Sequence, residues 1–215
     1  MRLHNYWRSS CSWRVRIALN LKGLAFEYVP VHLVKDGGAQ HTDAYRALNP
    51  LRTVPTLEFS HEGRIHFLSQ SLAILEYLEE RYPSPALLPA DPILRAHVRM
   101  LSEVMNSGIQ PLHNLSVTQR VKSELKGDDK AWNAYWIDRG LTALQALAEQ
   151  TAGRYCVGDD VSFADVCLVP QLYAARRFGV DLGPYGLLTR VEAVCAGLPA
   201  FQAAHADRQP DAVPA

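Results

Sequence analysis

Near the start of the chain, Arg8-Ser9-Ser10-Cys11-Ser12-Trp13-Arg14-Val15-Arg16 places three hydroxyls and a thiol where a strand-like run, Arg2–Trp7, gives way to a helical one. At such a junction the first backbone N–H groups have no intrahelical partner and the helix dipole is positive, so an anion is favoured there. A hydroxyl can donate to a thiolate, which is the reactive form of a thiol. The segment therefore suits thiol chemistry, although capping by Ser9, Ser10 or Ser12 is the more ordinary use of serine at a helix start. Cys11 could itself be a nucleophile, because a helix start lowers a thiol's pKa. No general base stands nearby, so a supporting role fits Cys11 better than a covalent one.

Two further segments could bind a ligand. In Thr53-Val54-Pro55-Thr56 a proline stands directly before a strand-like run. It cannot donate to a ladder, so it fits a turn or an edge, with a cis bond as one way to make the bend. The Val54 backbone is then left to pair with an extended peptide as an added strand would. Ser69-Gln70-Ser71 heads an amphipathic helix. Capping is again the ordinary use, and capture of a carboxylate by Ser71 with help from Gln70 is the functional one.

The elements that must position these residues follow from periodicity. Trp13–Lys22 has helical spacing and stops at Gly23, and Phe26–Leu33 reads as a second strand. A glycine-bearing loop at 35–38 leads to a short helix over Asp43–Leu48. Thr56–Ser60 and Arg64–Leu68 flank His61-Glu62-Gly63 as a β-hairpin, and Ser71–Arg81 closes the unit as a helix. This β-α-β-α-β-β-α order predicts a small α/β unit with two parallel and two antiparallel strands. Four prolines between Pro83 and Pro92 forbid a continuing helix and make a stiff linker. Beyond it Leu94–Ile109, Asp129–Thr151, Ser162–Phe178 and Leu187–Ala196 are helical in period, while Val117–Lys130 reads as a charged helix end or loop. The expected domains are therefore 1–82, a linker at 83–92, and an all-helical 93–215. Ser162-x-x-Asp165 fits a capping box and is assigned to folding.

Composition narrows the function classes. Hydrophobic residues make up 48% of the chain and charged ones 20%, as in a packed globular protein. Lys+Arg and Asp+Glu each number 22, so there is no electrostatic reason to expect nucleic acid or an anionic membrane as partner. The N-terminus is too polar for a signal peptide, and no apolar run reaches the ~20 residues of a membrane span. A cytoplasmic protein is expected. Cys156, Cys167 and Cys195 suit buried positions in a reducing compartment. Dispersed histidines give no metal site, no G-x-G-x-x-G follows the first strand, and no C-x-x-C is present.

Taken in order, the serine-rich helix start, the V-P-T turn and the Q-S helix start, followed by a helical domain, resemble glutathione transferases. Ser9 through Leu19 resembles the signature of their zeta class. Agreement extends through Ala47-Leu48-Asn49-Pro50, Leu87–Pro92, Gly108–Leu112, Asn114-Leu115-Ser116 and Asp165–Arg177, spanning nearly the whole chain. The resemblance implies a thioredoxin-like N-terminal α/β domain, an all-α C-terminal domain, a homodimer, and glutathione as cofactor. It implies that Ser9 steadies the glutathione thiolate with Ser10 and Cys11 beside it. Gln40 would reach the glycyl end, Val54 would pair with the cysteinyl backbone, Gln70 and Ser71 would hold the γ-glutamyl end, and Gln110 and Asn114 also fall on binding positions. The hairpin Phe59–Phe67 is longer than the class pattern, and Glu124–Lys130 is a small insertion, both at loops.

The activity the resemblance implies is cis–trans isomerisation of a maleyl dicarboxylate, maleylacetoacetate to fumarylacetoacetate in tyrosine and phenylalanine catabolism. The thiolate adds to the double bond, which can then rotate, and elimination returns the trans isomer with the thiol. Two carboxylates need fixed cations, and arginine's planar fork suits them. Arg8 flanks the anion site, and Arg177 falls where the family places a substrate-side arginine. Arg176 points about 100° away around the helix. A maleylpyruvate isomerase, a conjugating transferase or dehalogenase, and a non-catalytic glutathione-binding protein are the alternatives.

Overall fold

The computed structural model describes residues 1–213. The chain divides into two compact units, one of residues 1–85 together with the segment from Leu198 onward, the other of Ala86–Gly197. The sequence placed that last segment with the helical domain. It belongs instead with the first unit, because it packs on that unit's first helix.

The first unit is built on a four-stranded sheet ordered β2-β1-β3-β4, from β1 (Arg2–Asn5), β2 (Glu27–Pro30), β3 (Thr56–His61) and β4 (Arg64–Ser69). β1 runs parallel to β2 and antiparallel to β3, and β3 is antiparallel to β4, as the element order predicts. The hairpin turn is tighter than expected. His61 still pairs with Arg64, leaving Glu62 (φ 49) and Gly63 (φ 73) as a two-residue turn. Both central residues are left-handed, the conformation that matches strand twist and favours glycine at the second position.

Helices α1 (Ser10–Leu21), α2 (Asp43–Leu48) and α3 (Ser71–Arg81) complete the expected order, and α9 (Pro199–Ala204) joins them. α1 packs against α3 and also against α9. From Ser12 to Leu19 it is therefore buried all round, not along a single stripe. Leu3, Trp13, Ile17, Leu19, Leu57, Ile74, Leu75 and Leu78 form the core. Lys22, the C-cap of α1, donates to Glu79 at 2.7 Å and to the carbonyls of Tyr82 and Pro85. All three ammonium hydrogens are thus used to hold the end of α3, which offsets the cost of burying the charge.

The second unit is helical: α4 (Pro92–Glu103), α5 (Leu115–Ser123), α6 (Asp129–Ala148), α7 (Phe163–Arg177) and α8 (Gly186–Ala196). Two expectations change here. The run to Ile109 is not one helix, because Val104–Ile109 widens into a π turn. The stretch read as a charged helix end or loop begins within a real helix, α5, capped by Asn114. Asp165 at the head of α7 is fully buried and accepts from Ser162 N–H, Ser162 Oγ–H and Cys156 N–H, each at 2.8 Å. Burial nevertheless pushes its carboxyl up, against the pull of those bonds. Its role is folding, as expected. Among the described residues no helix is long and apolar enough to cross a membrane.

Candidate functional site in the first unit

β1 ends at Asn5, and four residues later Ser9 caps α1. Its Oγ accepts the Ser12 N–H at 3.2 Å, and its own N–H donates to Tyr6 O at 3.0 Å. The ordinary and the functional readings of this serine are compatible, since a capping oxygen keeps its hydroxyl hydrogen to donate elsewhere. Ser10 is buried and Cys11 half-buried beside it. Cys11 is not in a disulfide, nor are the fully buried Cys156, Cys167 and Cys195. Arg8 is half-exposed and lies over the Trp7 ring, 5.1 Å from its centroid, and forms no ion pair among the described residues.

Val54-Pro55 is a cis bond just ahead of β3. The turn is held from α2: Tyr45 Oη donates to Thr53 O at 2.7 Å, and Asn49 Nδ2 donates to the same carbonyl at 2.8 Å. Asn49 Oδ1 accepts the Leu51 N–H at 3.1 Å. Burial raises the Tyr45 phenol, keeping it a hydrogen donor. The Val54 backbone has no hydrogen bond among the described residues, so it is left to pair with an extended ligand.

At the head of α3, Gln70 adopts φ 71 and ψ 114 and makes no side-chain cap. A left-handed backbone is costly for a non-glycine residue and clusters at ligand sites. Ser71 is 2% exposed, and its Oγ accepts from Arg14 Nη1 at 3.2 Å. Arg14 lies on α1 and is fully buried, so a guanidinium sits behind the hydroxyl that heads α3. The sequence reading gave no role to Arg14. Its signal was a charge set directly between Trp13 and Val15 near the start of α1.

Gln40 lies in a 3₁₀ turn, Ala39–His41, and is buried. Its Nε2 donates inward to Leu33 O at 3.0 Å, while Oε1 is buried without a partner. A Cβ at Gly38 would sit 2.5 Å from the Gln40 amide, so only glycine admits that amide against the loop.

In the second unit, Gln110 opens a 3₁₀ turn directly after the π turn. Asn114 caps α5, its Oδ1 accepting from Ser116 N–H at 3.1 Å and Ser116 Oγ–H at 3.0 Å, which leaves its Nδ2 hydrogens to donate. Arg176 and Arg177 end α7. Arg176 forms a bidentate pair with Glu192 at 2.6 and 2.5 Å, whereas the Arg177 guanidinium is exposed and lies 4.3 Å from the Phe178 ring centroid. An open cavity of about 590 Å³ in this unit is bordered by Met100, Glu103, Ser107, Trp136 and Arg139 and contains none of the residues singled out above.

The chain is similar to known proteins in sequence and in fold. A family model described as glutathione S-transferase, N-terminal domain, matches residues 8–81. Over 209 residues the chain is 52% identical to maleylacetoacetate isomerase of Rattus norvegicus, covering 97% of this chain and 94% of that protein. It is similar to the crystal structure of maleylacetoacetate isomerase from Anaeromyxobacter dehalogenans 2CP-1 with bound dicarboxyethyl glutathione and citrate in the active site. The TM-score is 0.90 at 52% identity, over 99% of this chain and 97% of that one. The holo structure of a maleyl pyruvate isomerase, a bacterial zeta-class glutathione S-transferase, gives a TM-score of 0.93 at 44% identity, over 99% and 100% of the two chains.

Proposed function

Since the chain belongs to the zeta class of the glutathione transferase family, we propose that it is a glutathione-dependent enzyme that isomerises maleylacetoacetate to fumarylacetoacetate. The observation that carries this reading is the set of three unspent polar ends in the first unit. These are the Ser9 hydroxyl at the head of α1, the unpaired backbone of Val54, and the head of α3 at Ser71. A tripeptide with a thiol, a backbone and a terminal carboxylate offers one partner to each, and the buried, unpartnered Gln40 Oε1 provides a fourth polar contact. The residues therefore fit glutathione.

When bound, glutathione supplies a sulfur nucleophile that makes the maleyl double bond transiently single. The chain's residues do the rest. Ser9 Oγ donates its hydrogen to hold the sulfur anionic, with the free N–H groups at the start of α1 adding positive potential and Ser10 and Cys11 supporting them. Val54 pairs with the cysteinyl backbone, while Gln70 and Ser71 hold the γ-glutamyl carboxylate. Gln40 serves the glycyl end, and Gln110 and Asn114 serve binding through their amides. Arg8 and Arg177 are assigned to the substrate carboxylates and to the charge that develops between them.

We assign the protein to the cytoplasm, where cysteines outside disulfides stay reduced. A homodimer is supported by the edge strand β4, on which Ile65 and Phe67 are 58% and 43% exposed. Light scattering at a mass twice 24.0 kDa checks it.

A second reading, maleylpyruvate as substrate, is favoured by the TM-score of 0.93 to the maleyl pyruvate isomerase. The test is absorbance-monitored isomerisation of each substrate, with and without glutathione. The faster substrate names the enzyme, and no turnover of either overturns both readings.

A further inference from the structure

The Tyr6–Trp7 peptide lies in the connection between β1 and the capping serine, and it is held at both ends. Its carbonyl accepts from Ser9 N–H at 3.0 Å and from Arg16 Nη1 at 3.4 Å. Its N–H donates to Asp211 Oδ2 at 3.1 Å, a contact across 204 residues of chain. Arg16, 1% exposed, also donates to Trp7 O at 2.8 Å, Asn5 Oδ1 at 2.9 Å and Ala204 O at 3.2 Å. The other carboxylate oxygen of Asp211 accepts from Tyr28 Oη. The elbow is therefore clamped between a buried cation on α1 and an anion from the end of the chain.

That anion is not what docks the segment it belongs to. Residues 199–206 are anchored independently by buried Phe201, Ala204 and Ala206, by Trp13 against His205 at 4.9 Å, and by Asn20 Nδ2 to Ala200 O at 3.2 Å. Asp211 lies beyond these anchors and spends both oxygens on the β1–α1 connection and its neighbour β2. A carboxylate so placed fixes the orientation of one peptide, and the opposite end of that peptide carries the N–H of Ser9.

We propose that Asp211 is a positioning residue for the thiolate-holding elbow, acting through the Trp7 N–H and the Tyr6 carbonyl to set the direction of the Ser9 hydroxyl, so that the C-terminal segment is a working part of the glutathione half of the site. The inference rests on the reading of Ser9 given above. Misdirecting a charge-assisted donor by a fraction of an ångström weakens it without removing the other contacts to the tripeptide. The loss therefore falls on thiolate formation and turnover, not on tripeptide affinity.

The experiment compares Asp211→Ala, Asp211→Asn and Tyr28→Phe in the full chain. It reads kcat, the KM for glutathione, and the pH dependence of the ultraviolet absorbance of bound thiolate. Asp211→Ala is expected to lower kcat about tenfold and raise the bound thiol's pKa by about one unit, with KM changed less than twofold. Asp211→Asn keeps an oxygen for the Trp7 N–H and should recover kcat to within about threefold. Tyr28→Phe leaves that oxygen contact in place and should behave likewise. A bound thiol that ionises as in the wild type in Asp211→Ala, whatever the loss of melting temperature, overturns the proposal. So does an Asp211→Asn protein as impaired as Asp211→Ala. If Asp211→Ala does not fold, Asp211→Glu replaces it, and an unshifted thiol titration with unchanged kcat in that variant overturns the proposal equally. A wild-type protein that gives no thiolate signal with glutathione overturns the reading of Ser9 itself, a failure visible before any variant is made.

Discussion

Arg14 Nη1 and Ser71 Oγ, fifty-seven residues apart in the chain, meet at 3.2 Å inside the first unit. The contact ties the two helices whose starts carry the site. α1 brings the hydroxyl for a sulfur anion, and α3 brings the hydroxyl for a carboxylate. A buried guanidinium behind Ser71 orients its Oγ and adds positive potential where a carboxylate is to sit. Ser71→Ala is therefore expected to weaken glutathione binding about tenfold in calorimetry, the worth of one hydrogen bond to a charged group. Arg14→Met should weaken it similarly even though the methionine touches no ligand.

The capping and catalytic roles of Ser9 can be separated by the choice of replacement. Ser9→Ala loses the bond to Ser12 N–H and should cost about 1 kcal/mol of stability, whereas Ser9→Gly costs only a few tenths. Both remove the hydroxyl donor, so both should lower kcat roughly 10–100-fold. Chemical denaturation measures the first effect and steady-state kinetics the second. Glycine activity near the wild-type level would leave capping as the residue's whole function.

Two adjacent arginines should respond differently. Arg177→Ala is expected to reduce dicarboxylate turnover about a hundredfold, since it removes a charged partner of the substrate, while glutathione affinity stays nearly intact. Arg176→Ala breaks a surface pair with Glu192 and should leave turnover unchanged, at a cost of about 0.5 kcal/mol in stability. Parallel loss of turnover and glutathione affinity in Arg177→Ala would refute the division of labour between the arginine and the tripeptide site.

On the sheet, Glu58 accepts from His4 at 2.8 Å and from Arg2 at 3.1 Å. These bonds, His4's first, hold its carboxyl below the usual 4.5. A depressed carboxylate pKa adds stability that is present above the unfolded value and is lost as pH falls through the folded one. Glu58→Gln should accordingly cost about 0.5–1 kcal/mol at pH 7, with the difference closing as pH falls below the usual 4.5 and through the folded value. Urea denaturation of both proteins across that range measures it. A gap that widens on acidification would contradict the sign.

The local devices of the site were legible in the residues. A proline before a strand, a glycine in a hairpin turn and serines before apolar runs each act within a few positions, and α3 begins and ends where its periodicity places it, at Ser71–Arg81. The order of elements fixed the sheet, because a short hairpin enforces antiparallel pairing and an intervening helix permits parallel pairing. The π turn at Val104–Ile109 was not legible, since its residues keep an ordinary helical pattern and only the backbone widens.

By itself the sequence determined which residues could steady a sulfur anion, the elements that carry them, and the class the chain resembles. The tertiary structure alone decided that α1 is enclosed on every side, because α9 returns across the full length of the chain to cover it. That return buries Arg16 and draws it down to about 10, still fully charged at neutral pH, and it brings Asp211 to Trp7. Periodicity reports which face of a helix is apolar. It does not report what a segment almost two hundred residues away will lay against the other face, and that is where these charges find their partners.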